Sequence, residues 1–249
     1  MSLSLRLLSV VAVLIVSWPF AAAADPIAEA RRAEEAGQHR RAIEIVRPLA
    51  EKGDPRAQHM LGNLYWDSGR RSGLSDKEEK RRARIWFEKS AAQNYKPAIR
   101  DLGNVLLGGD PSEAQRGYDM LLGLARAGDT RAQAALGHFI AFEAGKVTPG
   151  GFRVPGTAAD GLKWLERAAD QKELFAVDYL YWWHLQRGKS ADAYFWQIVV
   201  LVMHRSYEPV RLDLRNNLTK NEIASIERRA ATWLDAHGYK FRRPTYRRR

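Results

Sequence analysis

The chain has 249 residues, a formal charge of +11 and no cysteine, with 45% hydrophobic residues and eight tryptophans. That length buries a sizeable core, and the composition is that of a folded protein rather than a disordered one. The absence of cysteine excludes disulfides, thiolate metal sites, cysteine nucleophiles and a lipid-anchored lipoprotein amino terminus.

Residues 1–24 read as a secretory signal. Arg6 is the only charge before Asp25, Leu7–Val16 is apolar apart from Ser9, and Ala22 and Ala24 supply an A-x-A cleavage site. A membrane anchor is the alternative, but a span needs about 20 apolar residues, and this run is shorter and is broken by Pro19. No other stretch is long enough to span. The expected product begins near Asp25, is exported, and suits a bacterial periplasm because it is free of disulfides.

From residue 25 onwards the chain repeats itself. Counting from Ala42, Ala83, Gly117, Gly161 and Ala193, a bulky apolar residue follows at position 3: Ile45, Trp86, Met120, Trp164 and Trp196. The first four copies have alanine at position 8 and again at 15 (Ala57, Ala98, Ala132, Ala176), then leucine at 19 (Leu61, Leu102, Leu136, Leu180). Position 20 is Gly62, Gly103, Gly137 and Tyr181. Positions 0, 3 and 8 share one helix face. Position 11 (Gly53, Asn94, Gly128, Lys172) ends that helix, since Gly or Asn tolerates the left-handed conformation a C-cap needs. Asp54-Pro55 and Asp129 then open the next helix. The small residues allow close backbone approach, and Trp86 and Trp164 are expected to fill the core beside them.

Two insertions, Gly69–Asp76 and Gly145–Thr157, read as surface loops from their turn chemistry. Capping boxes start helices at Ser75, Asp110 and Thr219. About eleven helices and no sheet are expected. The assignment is residues 1–24 signal, 25–204 helical repeat solenoid, 205–238 linker and capping helix, and 239–249 basic tail. The tail holds +6 in eleven residues. It is expected to be disordered, with contact to anionic envelope polymers as the alternative.

The repeat resembles the Sel-one-like repeat family, relatives of tetratricopeptide repeats. The resemblance rests on Ala57-Gln58…Leu61-Gly62-Asn63-Leu64-Tyr65…Gly69 followed by Ala83…Trp86-Phe87-Glu88-Lys89-Ser90-Ala91-Ala92…Ala98. A second good copy is Ala132-Gln133…Leu136-Gly137 followed by Gly161…Trp164-Leu165-Glu166-Arg167-Ala168-Ala169…Ala176. It covers roughly residues 36–200, and the copies at 98–132 and 176–208 are degenerate. It implies an all-α, right-handed α-solenoid of antiparallel helix pairs with a C-terminal capping helix. It also implies an adaptor that assembles complexes or regulates signalling, cell-envelope and exopolysaccharide control included.

No constellation for catalysis appears. None of the six histidines forms H-E-x-x-H or a ligand set, so no metal or other cofactor is expected. Gly188-Lys189-Ser190 lacks the preceding strand and first glycine of a phosphate loop, and no G-x-S-x-G or dinucleotide fingerprint occurs. The chain is read as a non-enzymatic scaffold with a protein or extended peptide as partner, and not as a nucleic-acid binder. The alternatives are a binder of envelope polysaccharide or another polyanion and, less favoured, an enzyme. Because the first helix of each pair lines the concave side in tetratricopeptide-like solenoids, positions 17, 21 and 24 become the partner surface. They supply His59, Arg100 and Asp178, then Asn63, Asn104, His138 and Trp182, then Trp66 with Leu107 and Leu185.

Overall fold

A computed structural model describes residues 25–67, 75–204 and 212–241. The expected signal, most of the first insertion, the linker 205–211 and residues 242–249 lie outside the described residues.

Twelve helices are present among the described residues: α1 (Pro26–Glu35), α2 (His39–Glu51), α3 (Pro55–Trp66), α4 (Asp76–Ala91), α5 (Lys96–Leu106), α6 (Pro111–Arg126), α7 (Thr130–Glu143), α8 (Ala158–Asp170), α9 (Leu174–Gln186), α10 (Ser190–Met203), α11 (Leu212–Asn216) and α12 (Lys220–Ala236). Each packs mainly on its sequence neighbours, and α12 closes the end by packing on α10. The chain is an α-solenoid of antiparallel pairs, α1/α2 to α9/α10, with a terminal cap. None of the described helices is long and apolar enough to cross a membrane.

The repeat columns have the expected physical roles, with one displacement. Alanine at position 15 and leucine at position 19 are fully buried in all four copies, at 0% exposure. At position 20, Gly62 meets Phe87 at position 4 of the paired helix, and Gly103 and Gly137 meet positions 0 and 4 of theirs. A methyl on Gly103 would crowd Leu121 and the Gly117 carbonyl, and one on Gly137 would crowd the Gly161 carbonyl and Leu165. The bulky core residue, however, sits at position 4, not 3, in the first four copies, whereas in the fifth Trp196 at position 3 is buried. Val46, Phe87, Leu121 and Leu165 are buried, whereas Trp86 and Trp164 are half-buried. Those two rings lie at the flank of the buried stripe. Lys89 Nζ stands 4.2 Å from the Trp86 ring and the Arg167 guanidinium 4.9 Å from the Trp164 ring. Each tryptophan is thus roofed by the cation one turn on, a contact available only near solvent.

The second insertion is not a bare surface loop. Val147 and Arg153 pair across it as an isolated bridge. Phe152 and Val154 are buried and cluster with Ala114 of α6, against which Tyr118 and Phe139 also pack. The insertion therefore fastens one repeat to the preceding one. At the other end, Tyr239 and Phe241, the start of the segment expected as tail, pack against the last core cluster.

Candidate functional site

The odd-numbered helices α1, α3, α5, α7 and α9 bring their exposed stripes together along one groove. Two adjoining hollows of about 730 and 530 Å³ form it. Both are lined by His59, Asn63, Asp67, Arg100 and Arg131. The first extends to Asp25, Arg31, Glu34 and Glu35 of the amino-terminal helix and its cap, and along the helix starts at Arg56, Pro97 and Asp129. The second has a floor of Val105, Ala134 and Ala135, and walls of Trp66, Phe175 and Tyr179.

Local sequence explains the rigidity of these walls. Asp54 caps α3 by accepting from the Arg56 and Ala57 amides, and Asp129 caps α7 by accepting from Ala132. Position 15 alanine lies on the core side, so positions 14, 17, 18 and 21 turn toward the groove. The charges there are tied down across repeats. His59 Nε2 is 2.7 Å from Asp101 Oδ2, joining α3 to α5. Arg100 stands 3.5 Å from Asp101 and 3.7 Å from Asp129, joining α5 to the start of α7. Arg131 reaches Glu173 at 3.9 Å. The His59 ring also meets Tyr95 edge-on at a centroid distance of 5.4 Å. The Asn63 side-chain amide lies 3.4 Å from the same His59 nitrogen, while Asn104 is exposed with its amide open to the groove.

Five of the eight partner-surface residues expected from sequence meet in this groove: His59, Asn63, Trp66, Arg100 and Asn104. The other three line neither hollow. His138 is stacked on Tyr179 at 4.1 Å and near Phe142 at 4.8 Å, so it backs the aromatic wall. Burial pushes its pKa down and keeps the ring neutral. Asp178 pairs with His204 at the end of α10, 3.2 Å away, and burial raises its carboxyl pKa. Trp182 is 49% exposed and rests on Tyr181. Leu107, also placed on this stripe, is instead buried.

On α3 and α5 the hollows are lined by positions 14, 17, 18 and 21, on α7 by positions 14, 17 and 18 (Arg131, Ala134, Ala135), and on α9 by positions 14 and 18 alone, Phe175 and Tyr179. The groove residues that the repeat columns missed are therefore Phe175, Tyr179, Arg131, Asp67 and Asp101. Position 14 held the available signal: it reads Arg56, Pro97, Arg131 and Phe175, a column with no core role.

Among the described residues no group of three His, Asp or Glu side chains is arranged to hold a metal ion. The groove offers planar amides, guanidinium groups, carboxylates and exposed aromatic rings over a small-residue floor. Such a surface can hydrogen-bond an extended backbone and seat large side chains.

No family model matches the chain, and no curated protein matches it. Solved structures do. A protective antigen of uropathogenic Escherichia coli, described as displaying an SLR fold, superimposes with a TM-score of 0.60 at 21% identity over 85% of this chain. The chain spans 46% of that protein. A Sel1 repeat protein from Oxalobacter formigenes gives a TM-score of 0.50 at 20% identity, covering 84% of this chain and 88% of its own. At these identities the likeness shows the fold, which is the Sel1-like repeat solenoid expected from the motif.

Proposed function

We propose that the chain is a non-enzymatic interaction scaffold, exported to a bacterial periplasm, that holds an extended segment of a partner protein in the groove of its odd-numbered helices. The observation that carries this reading is the convergence of Asn63, Trp66, Arg100 and Asn104 from two helices with Phe175 and Tyr179 from a third in one hollow. Repeat solenoids bind through such continuous inner surfaces, and control of envelope or exopolysaccharide processes is the setting the family resemblance suggests.

Charge argues against the groove as a seat for a polyanion. Its lining has six carboxylates (Asp25, Glu34, Glu35, Asp67, Asp101, Asp129) against four arginines (Arg31, Arg56, Arg100, Arg131), a net of −2 within a chain of +11. An anionic polysaccharide would be repelled there.

The test is affinity capture from envelope extracts with the tagged protein. Asn63→Ala combined with Asn104→Ala should deplete the captured partner without lowering the melting temperature, because neither amide is part of the core. Undiminished capture by that double variant and by Trp66→Ala would remove the groove from the reading. An amino terminus found at Met1 in the membrane fraction, rather than near Asp25, would remove export.

A further inference from the structure

One segment of the chain outside the described residues has the charge to complement the groove. Residues 242–249 read Arg-Arg-Pro-Thr-Tyr-Arg-Arg-Arg, five positive charges around one aromatic residue. We infer that this segment docks in the groove of its own chain, so that a partner must displace it. The inference rests on the groove being a peptide-binding surface.

Three observations converge. The first is the point of departure. Tyr239 and Phe241 pack on the last core cluster, and Lys172 Nζ lies 5.8 Å from the Tyr239 ring. Lys172 stands in the turn that leads into α9, three residues before Phe175 of the groove wall. The segment therefore leaves the fold at the groove's mouth. The second is reach. Eight extended residues span up to about 28 Å, and Tyr246, five residues beyond Phe241, reaches about 17 Å. Neighbouring helices lie about 8–10 Å apart, so Tyr246 can pass α9 and reach α7, and the last arginines can approach Asp101 and Asp67. Pro244 favours the extended backbone this path needs.

The third is chemistry. The lining is net negative although the chain is strongly basic. Trp66 and Phe175, 42% and 56% exposed, offer open ring faces on which guanidinium groups or the Tyr246 ring can stack. Tethering supplies an effective concentration on the order of millimolar, so weak contacts suffice for the segment to occupy the groove in cis.

The experiment uses the full chain with Tyr246 replaced by the photo-reactive residue benzoylphenylalanine. After irradiation, crosslinked peptides are mapped by mass spectrometry. The expected products are intramolecular, at the monomer mass, and join residue 246 to peptides containing Trp66, Asn104 or Phe175. Their yield should fall about tenfold in about 1 M salt, where the Debye length is ~3 Å, and by a similar factor in the Trp66→Ala/Asp67→Lys variant. A melting temperature within error of the parent establishes that this variant is folded. Products on the even-numbered helices, absence of products, a yield indifferent to the variant, or products only at the dimer mass would each overturn docking in cis. Capture of a partner through Asn63 and Asn104 is read separately. If it persists while the crosslink is absent, the docking inference fails and the scaffold reading stands.

Discussion

The pairs α3/α4 and α7/α8 and the pairs that follow each of them, α5/α6 and α9/α10, solve the same packing problem with different chemistry. In the first set a buried glutamine joins the preceding helix to the turn that closes its own pair. Gln58 donates to the Ala50 carbonyl and accepts from Gln93, which also donates to the Gly53 carbonyl. Gln133 does the same with Ala125 and Gln171, at 3.0 and 2.8 Å. Each of these pairs is entered through a glycine with positive φ, Gly53 or Gly128, and an aspartate whose side chain caps the helix. The intervening pairs have Ile99 and Val177 in place of the first glutamine, and Ala127 and Met203 in place of the second. They are entered through Asn94 (φ 59°) or Lys172 (φ 66°) and have no side-chain cap at Tyr95 or Glu173. The alternation teaches that the motif-rich copies are fixed by directional hydrogen bonds. The degenerate ones are held by apolar burial and tolerate a strained turn.

Substitutions can break this contrast. The largest effect is expected in the core that both sets share. Phe87→Ala opens a cavity beneath Gly62 and should cost about 3–5 kcal/mol, whereas Trp86→Ala, one residue away but half-buried, should cost well under half of that. Thermal unfolding of the two variants side by side decides between positions 4 and 3 as the core column, and equal losses would restore position 3.

The glutamines come next. Gln133→Ala removes the hydrogen bonds to the Ala125 carbonyl and from Gln171 and vacates buried space, but the Ala125 carbonyl still accepts from Gly128 and Gln171 still donates to the Arg167 carbonyl, so it should cost about 1–2 kcal/mol. The double change Gln133→Val with Gln171→Ala converts this pair to the apolar form of its neighbours and should recover part of the loss, because valine refills the buried space with apolar surface. Urea titration of the single and double variants measures the difference.

A smaller effect of opposite sign is expected at the turn before α9. Lys172 holds a left-handed backbone at a cost of about 1–2 kcal/mol for an L-residue, so Lys172→Gly should raise stability, by about 1 kcal/mol once the extra chain entropy of glycine is set against the relief. The reverse change, Gly128→Lys, should lower it. Melting temperatures of both variants test the pair of turns against each other.

The smallest effect is a pH dependence. Burial lowers the His138 pKa in the fold, so the unfolded chain takes up this proton first as the solution is acidified. Its contribution is complete above about pH 6.5 and is lost as the pH falls through that value toward the lower folded pKa. His138→Phe keeps the stack on Tyr179 and removes the titration. The variant's melting temperature should therefore gain on the parent's between about pH 7.5 and about pH 5.5, and parallel curves would contradict a buried neutral ring.

Much of this was legible in the amino-acid sequence because the repeat imposes its columns. Alanine at 15, leucine at 19 and glycine at 20 each admit one packing role, and the helix pairs and the cap at Thr219 follow from them. The tryptophans misled because a large apolar residue beside alanine satisfies a helical stripe equally well at its centre or its edge, and only Lys89 and Arg167, placed one turn on, distinguish the edge. The groove was legible for α3 and α5, where each helix repeats the same facing. It was not legible for α7 and α9, where the hollow ends and only part of the stripe lines it: positions 14, 17 and 18 on α7, positions 14 and 18 on α9. His138, Asp178 and Trp182 line neither hollow, and Phe175 and Tyr179 of α9 do.

The claim that the inner groove is the partner surface is tested most directly by placing the same photo-reactive residue in living cells at Asn104, in the groove, or at Lys89, on the half-buried tryptophan of an even-numbered helix. Irradiation should join a partner protein to the Asn104-substituted chain and not to the Lys89-substituted one. Capture from Lys89 alone, or equally from both, would contradict the claim and move the partner surface to the outer helices.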